Sequence, residues 1–172
     1  MPEMHSSSSS LQVRQATAAD APVIAHHRAR MFEDMGVISG DVVRAMLEAS
    51  TEYFAAAVAS GEYVGFFAFD AAAPEHIAAG AGLLLRTIPP FPNVRGRNAG
   101  TMGKGQQGLV INVYAEPAWR RKGLARMLMR EVMQFAERAG VENLVLHASS
   151  EGRSLYEQLG FQATNEMRLV QR

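Results

Sequence analysis

Residues 109–139 constrain this chain more than any other stretch. Leu109-Val110-Ile111-Asn112-Val113-Tyr114 is its best strand, and Glu116-Pro117 ends it. The basic turn Arg120-Arg121-Lys122-Gly123 follows, and within it begins a helix running from about Lys122 to Ala139. Leu124, Met127, Leu128, Val132, Phe135 and Ala136 fall on one face of that helix, and Gly140 closes it. A strand passing through a tight turn into an amphipathic helix places the chain among α/β folds.

The remainder agrees. Leu11-Gln12-Val13-Arg14 alternates and predicts a first strand, after which Thr17 and Asp20 with Pro22 announce a helix. Ile24, Arg28 and Met31 lie along one side of that helix, which should stop near Gly36. From about Asp41, Val42, Val43, Met46, Leu47, Phe54 and Val58 keep helical spacing up to Gly61. Residues 63–69 and 76–85 are aromatic, apolar and glycine-rich, and read as two strands joined by a turn at 71–74. Three prolines and five glycines make residues 87–108 a long loop. A strand at 143–147, a short helix at 152–159 and a last strand around 161–170 complete the order β-α-α-β-β-β-α-β-α-β. Residues 1–10, polar and low in complexity, read as a disordered lead to one domain over 11–172.

Composition excludes several chemistries. Cysteine is absent, which removes disulfides, thiolate zinc sites and a cysteine nucleophile and fits a reducing, cytoplasmic setting. Apolar runs such as Gly82-Leu83-Leu84-Leu85 are far too short to span a bilayer, and the N-terminus lacks the regions of a signal peptide. Seventeen basic and seventeen acidic residues cancel, but not evenly along the chain. The segment 86–130 holds nine basic residues (Arg86, Arg95, Arg97, Lys104, Arg120, Arg121, Lys122, Arg126, Arg130) and one acid, Glu116, a local charge of +8. The rest of the chain therefore carries −8. Such a concentration marks either an anion site or a solvated basic face.

Several motifs fail on context. Gly103-Lys104-Gly105-Gln106-Gln107-Gly108 matches G-x-G-x-x-G, but a loop precedes it and a strand follows, the reverse of a dinucleotide fingerprint. Lys104 is no phosphate-loop lysine, because Asn98 stands in place of the first glycine and Gly105 in place of Ser or Thr. His26 and His27 are helix neighbours about 100° apart, a poor arrangement for one metal. No G-x-S-x-G elbow occurs.

The turn before the long helix has the opposite character. The first amides of a helix lack intrahelical partners, and the dipole adds about half a positive charge there. Gly123 and Ala125 keep side chains out of the way, while Arg120, Arg121 and Lys122 add charge. These are the ingredients of a pyrophosphate site. A helix start with a solvated basic cluster is the competing reading.

A second segment bears on this choice. Leu155-Tyr156-Glu157-Gln158-Leu159-Gly160-Phe161 puts a tyrosine on a short helix just before Gly-Phe and a strand. With Arg120-Arg121-Lys122-Gly123-Leu124-Ala125, which fits Arg/Gln-x-x-Gly-x-Gly/Ala, it resembles the GCN5-related N-acetyltransferase (GNAT) superfamily over about residues 11–170. The resemblance implies a single-domain acyl-CoA N-acyltransferase-like fold: a mixed central sheet splayed after the fourth strand, with helices on both faces. It implies acetyl-CoA as co-substrate and no metal. Val113, Tyr114 and Ala115 would offer backbone groups to the pantetheine arm like an added strand. Residues 121–126 (Arg121, Lys122, Gly123, Leu124, Ala125, Arg126) would hold the pyrophosphate, with Arg120 opening the signature.

Tyr156 matches the tyrosine that protonates the departing thiolate, a transfer open to a phenol of pKa ~10 facing a thiol near ~8.5; plain packing behind the Gly-Phe turn is its alternative. The segment 147–154 lacks the asparagine that many relatives carry there, and Ser149, Ser150 or Arg153 would have to replace it. His147, with an ordinary pKa near ~6.5, is a candidate general base or a structural histidine. Met31, Phe32, Glu33 and Asp34 would wall the acceptor site. The expected activity is N-acetyl transfer to a small-molecule amine by direct attack. Acetylation of protein lysines or N-termini and a non-catalytic CoA-binding module are the alternatives. A nucleic-acid binder, motivated by the basic segment, is disfavoured because the whole chain has no basic excess. No nucleic-acid or membrane partner is expected, and a homodimer is compatible with the chain.

Overall fold

The computed structural model describes residues 10–93, 99–164 and 166–167. The N-terminal lead up to residue 9, together with Arg95 and Arg97, lies outside the described residues. The elements are β1 (Leu11–Gln15), α1 (Ala21–Asp34), α2 (Asp41–Ser60), β2 (Tyr63–Asp70), β3 (Ile77–Thr87), β4 (Gln106–Ala115), α3 (Leu124–Arg138), β5 (Asn143–Leu146) and α4 (Arg153–Gln158). The five strands form one sheet in the order β1-β2-β3-β4-β5, antiparallel except for the parallel β4–β5 pair.

The structure departs from the sequence expectation in three places. The loop expected over 87–108 is shorter, because β3 runs on to Thr87 and β4 starts at Gln106. The strand expected around 161–170 does not begin at Phe161: residues 161–164 are not strand, and residues 165 and 168–172 lie outside the described residues. Asp20, expected to cap α1, instead accepts from the Thr17 amide at 2.8 Å and holds Arg14 through both carboxylate oxygens, at 2.7 and 2.9 Å.

Helices cover both faces. Leu124, Leu128, Met129, Val132 and Ala136 of α3 pack with Val64, Phe66, Ala81, Leu83 and Val110 on one side. On the other, Ile24 of α1 and Phe54 and Ala57 of α2 pack with Tyr63 and Phe67. Tyr63 is threaded across β3 at a glycine. A Cβ built on Gly82 would lie 1.9 Å from the Tyr63 hydroxyl, and Tyr63 is buried. Gly82→Ala is therefore expected to cost about 3 kcal/mol of unfolding free energy in a urea melt; an unchanged midpoint would show that the ring moves aside freely.

β4 places the site. Only Gln107, Gly108, Leu109 and Val110 pair with β5, so among the described residues Ile111 to Ala115 runs on with no strand on that side. At the same point β4 contains one extra residue relative to β3: Gly80 faces Tyr114 but Gly82 faces Ile111. The bulge falls at Asn112, whose φ of 58° is left-handed, a region Asn tolerates better than most residues. The bulge resets the alternation of faces. Ile111 and Asn112 both point toward α1 and α2, and Val113 and Ala115 return to the α3 face.

Candidate active site

The free edge of β4 leads into the basic turn. The Glu116 amide donates to the Ala78 carbonyl on β3 at 2.9 Å. Strand alternation then turns the backbone groups of Tyr114 toward β3 as well and leaves those of Val113 and Ala115 at the open edge. Of the three residues expected to offer backbone groups there, the structure thus places two. Tyr114 instead sends a buried ring toward α1, 5.2 Å from the His27 ring.

Beyond a single 3₁₀ turn (Pro117–Trp119), Arg121 has φ 62° and Gly123 has φ 80°, with Lys122 between them outside the left-handed region. Left-handed residues alternating with ordinary ones turn successive amides inward, the geometry of an anion-binding nest. Leu124 then starts α3, bringing the helix N-terminus to the same spot. A Cβ on Gly123 would meet nothing within 4 Å. Its φ is in the left-handed region that favours glycine, and the open space beside it is the room the sequence reading reserves for a phosphate.

Arg120 does not join this nest. Its guanidinium pairs with Asp34 at the end of α1, donates to the Ala115 carbonyl at 3.0 Å and to the Tyr114 hydroxyl at 3.3 Å, and lies over the Tyr114 ring. It fastens α1 to the end of β4. Lys122 packs its ammonium over the Trp119 ring at 4.6 Å, while Arg121 is exposed. Arg126, in the first turn of α3, pairs with Gln158 and so ties α3 to α4. Leu124 is buried and Ala125 half-buried.

On α4, the Tyr156 ring stands edge-on to Phe161 at 6.1 Å and packs against Gly152. It belongs to the apolar layer that also holds Val113, Ala115, Leu124 and Leu146. Its hydroxyl makes no hydrogen bond among the described residues, and burial raises its pKa above the ordinary phenol value. Ser149, considered as a substitute for the missing asparagine, accepts from the Gly152 amide at 3.1 Å and so shapes the entry to α4. His147 is exposed just past β5 and contacts Glu166 at 2.9 Å.

Of the proposed acceptor wall, Met31 is half-buried, Phe32 lies under the Arg28 guanidinium at 5.1 Å, and Glu33 pairs with Arg30 at 2.5 Å. Sequence reasoning passed over two groups. Arg28 donates to Asn112 Oδ1 at 2.8 Å, and Asn112 donates to the Tyr63 hydroxyl at 3.3 Å, which locks the bulge from α1 and β2. His26 and His27, dismissed as diverging, both reach Glu116 Oε1, at 3.3 and 3.5 Å, because the rings are long enough to converge. They sit in a cleft of about 670 Å³ with Trp119, Glu75 and His76. Among the described residues no cluster of three or more His, Asp or Glu could hold a metal, and no helix is long and apolar enough to cross a membrane.

Known structures share this architecture. A GCN5-related N-acetyltransferase from Ralstonia eutropha is 25% identical, with a TM-score of 0.80 over 94% of this chain and 98% of its own. A predicted acetyltransferase from Clostridium acetobutylicum, solved with acetyl-CoA, is 25% identical with a TM-score of 0.76, covering 94% and 96% of the two chains. Glucosamine-6-phosphate N-acetyltransferase from Arabidopsis thaliana shares the fold at 16% identity, with a TM-score of 0.62 over 95% and 98%. No curated protein matches the sequence. The profile of the Acetyltransferase (GNAT) family, whose co-substrate is acetyl-CoA, matches residues 22–161, and the chain belongs to that family.

Proposed function

We propose that this protein transfers an acetyl group from acetyl-CoA to the primary amine of a small molecule, in a cytoplasmic setting consistent with its lack of cysteine. One observation carries the reading: a β4 edge at Val113 and Ala115, unpaired among the described residues, runs within a few residues into a turn with left-handed Arg121 and Gly123 at a helix N-terminus. An extended arm ending in a pyrophosphate has that shape. Acetyl-CoA held there supplies an activated acetyl group, which the acceptor amine takes by direct attack as the C–N bond forms and the C–S bond breaks.

The backbone of Val113 and the amide of Ala115 would hold the arm, and the amides around Arg121, Lys122 and Gly123 the phosphates. Arg120 occupies the Ala115 carbonyl and orders the edge from outside the nest. Tyr156, kept protonated by burial, would hand its proton to the departing thiolate. A phenol with a raised pKa is a weak acid, so donation would be coupled to cleavage of the C–S bond. His147 remains a candidate base, though it lies exposed beside Glu166.

Calorimetry with acetyl-CoA and desulfo-CoA tests the reading, and no heat at millimolar ligand would remove it. Gly123→Val forces a β-branched residue to φ 80°, a strain of about 1–3 kcal/mol that opens the nest. The dissociation constant for acetyl-CoA should then rise at least about tenfold. Arg121→Ala and Lys122→Ala should do less, because amides carry most of the contact. Turnover across an amine panel separates an enzyme from a binding module, and a peptide panel separates small-molecule from protein acceptors.

A further inference from the structure

Arg28 is held unlike most of the arginines around it. Arg14, Arg30, Arg44 and Arg120 each meet a carboxylate. Arg28 is half-buried, lies over the Phe32 ring at 5.1 Å, and donates only to the neutral Asn112 side chain, at 2.8 Å. No carboxylate pairs with it among the described residues. Among the described residues the titratable groups that act on it are the Tyr63 and Tyr53 hydroxyls, both neutral at physiological pH, and burial pulls its pKa below the ordinary guanidinium value. A guanidinium offers five donors in a planar fork that suits carboxylate or phosphate. Withdrawing that charge from water without a counter-ion is costly, and an anion arriving with a ligand would offset the cost.

The place of Arg28 says which ligand. It meets β4 at Asn112, two residues past the last residue paired with β5, where the open edge begins. Met31 and Phe32, two residues of the acceptor wall expected at 31–34, lie on the next turn of the same helix. The cofactor phosphates belong to the nest at 121–123, and roughly 10 Å of strand separates Asn112 from Ala115 alone. The anion that reaches Arg28 therefore comes from the acceptor. We infer that the acceptor is an amine that also carries a carboxylate or phosphate, and that the half-buried Arg28 beside Asn112 and Phe32 binds that anion. This inference rests on the acetyl-transfer reading above and narrows its substrate class.

Matched pairs test it. Phenylalanine against phenylalaninamide varies a carboxylate, glucosamine 6-phosphate against glucosamine varies a phosphate, and kanamycin supplies a polycation. Each is titrated calorimetrically into the full chain saturated with desulfo-CoA. The anionic member of at least one pair should bind tenfold or more tightly than its neutral partner, and which pair responds distinguishes carboxylate from phosphate. Arg28→Gln should close that gap without changing the desulfo-CoA dissociation constant, and Arg28→Lys should keep part of it. Matched members binding alike, kanamycin binding more tightly than every anionic amine, no anionic member binding, or a gap that persists in Arg28→Gln would each overturn the inference. Arg28 also steadies Asn112, so the variants are first checked by thermal melting; if Arg28→Gln does not fold, the gap in the parent protein decides. Absence of desulfo-CoA binding is a separate result, which removes the acetyl-transfer reading and this inference with it.

Discussion

Tyr156→Phe should lower turnover by roughly 10²–10⁴-fold while leaving both the acetyl-CoA dissociation constant and the melting temperature close to those of the parent. The ring contacts with Phe161 and Gly152 survive the change intact. Only the hydroxyl is lost, and it makes no hydrogen bond among the described residues, so its removal sacrifices little stability. A tyrosine kept for packing would tolerate this substitution almost silently. A tyrosine that supplies the thiolate's proton would not. Steady-state kinetics with an acceptor found in the amine panel, read beside a thermal melt, separate the two cases. Near-parental turnover would assign the proton to another donor.

Acid should weaken the fold well before carboxylates titrate. His27 is about 2% exposed between α1 and the sheet, and its Nδ1 is buried with no hydrogen-bond partner. Burial, with a smaller contribution from His26, lowers its pKa from 6.5 to about 4, and the Glu116 carboxylate 3.5 Å away does not reverse this. Between those two values the unfolded chain takes up a proton that the folded chain refuses. The stability is therefore fully present above pH 6.5 and falls as pH drops toward 4. The loss over that window should be on the order of 3 kcal/mol. Asp20, lowered to about 2 by Arg14, titrates below this range and does not obscure it. Urea unfolding at pH 7.5, 6 and 5 measures the slope, and His27→Gln should flatten it. A parent protein equally stable at pH 7.5 and 5 would show that the imidazole is protonated in place without penalty.

Much of the fold is local and was therefore readable. The spacing of Leu124, Leu128 and Val132 on α3 and the aromatic run of β2 are properties of short windows, and hydrophobic period decides such windows. The two motifs that carry the resemblance are also local, so the basic turn at 120–125 and Tyr156 on α4 were visible without coordinates. The strand expected from Phe161 was a reading of composition, and Phe161 to Thr164 does not bear it out.

Chain order alone brought the basic turn at 120–125 together with the start of α3, because a strand, a tight turn and a helix N-terminus are consecutive. The remaining features join residues far apart in sequence. Arg28 meets Asn112 across 84 positions, and Arg120 meets Asp34 across 86. No periodicity within a window encodes such pairs; they exist because α1 lies across β4. The bulge at Asn112 belongs with them. As sequence, residues 109–114 read as an uninterrupted strand, and nothing in their side chains announces that Ile111 and Asn112 will share a face. The extra residue shows only when β3 is laid beside β4. So the sequence determined the family, the order of elements from β1 to α4 and the basic turn from β4 into α3. Packing decided that Arg120 faces Asp34 instead of an anion, that two neighbouring histidines converge on Glu116, and that Arg28 stands half-buried beside Asn112 with no carboxylate partner among the described residues, since each depends on which distant surface a helix is laid against.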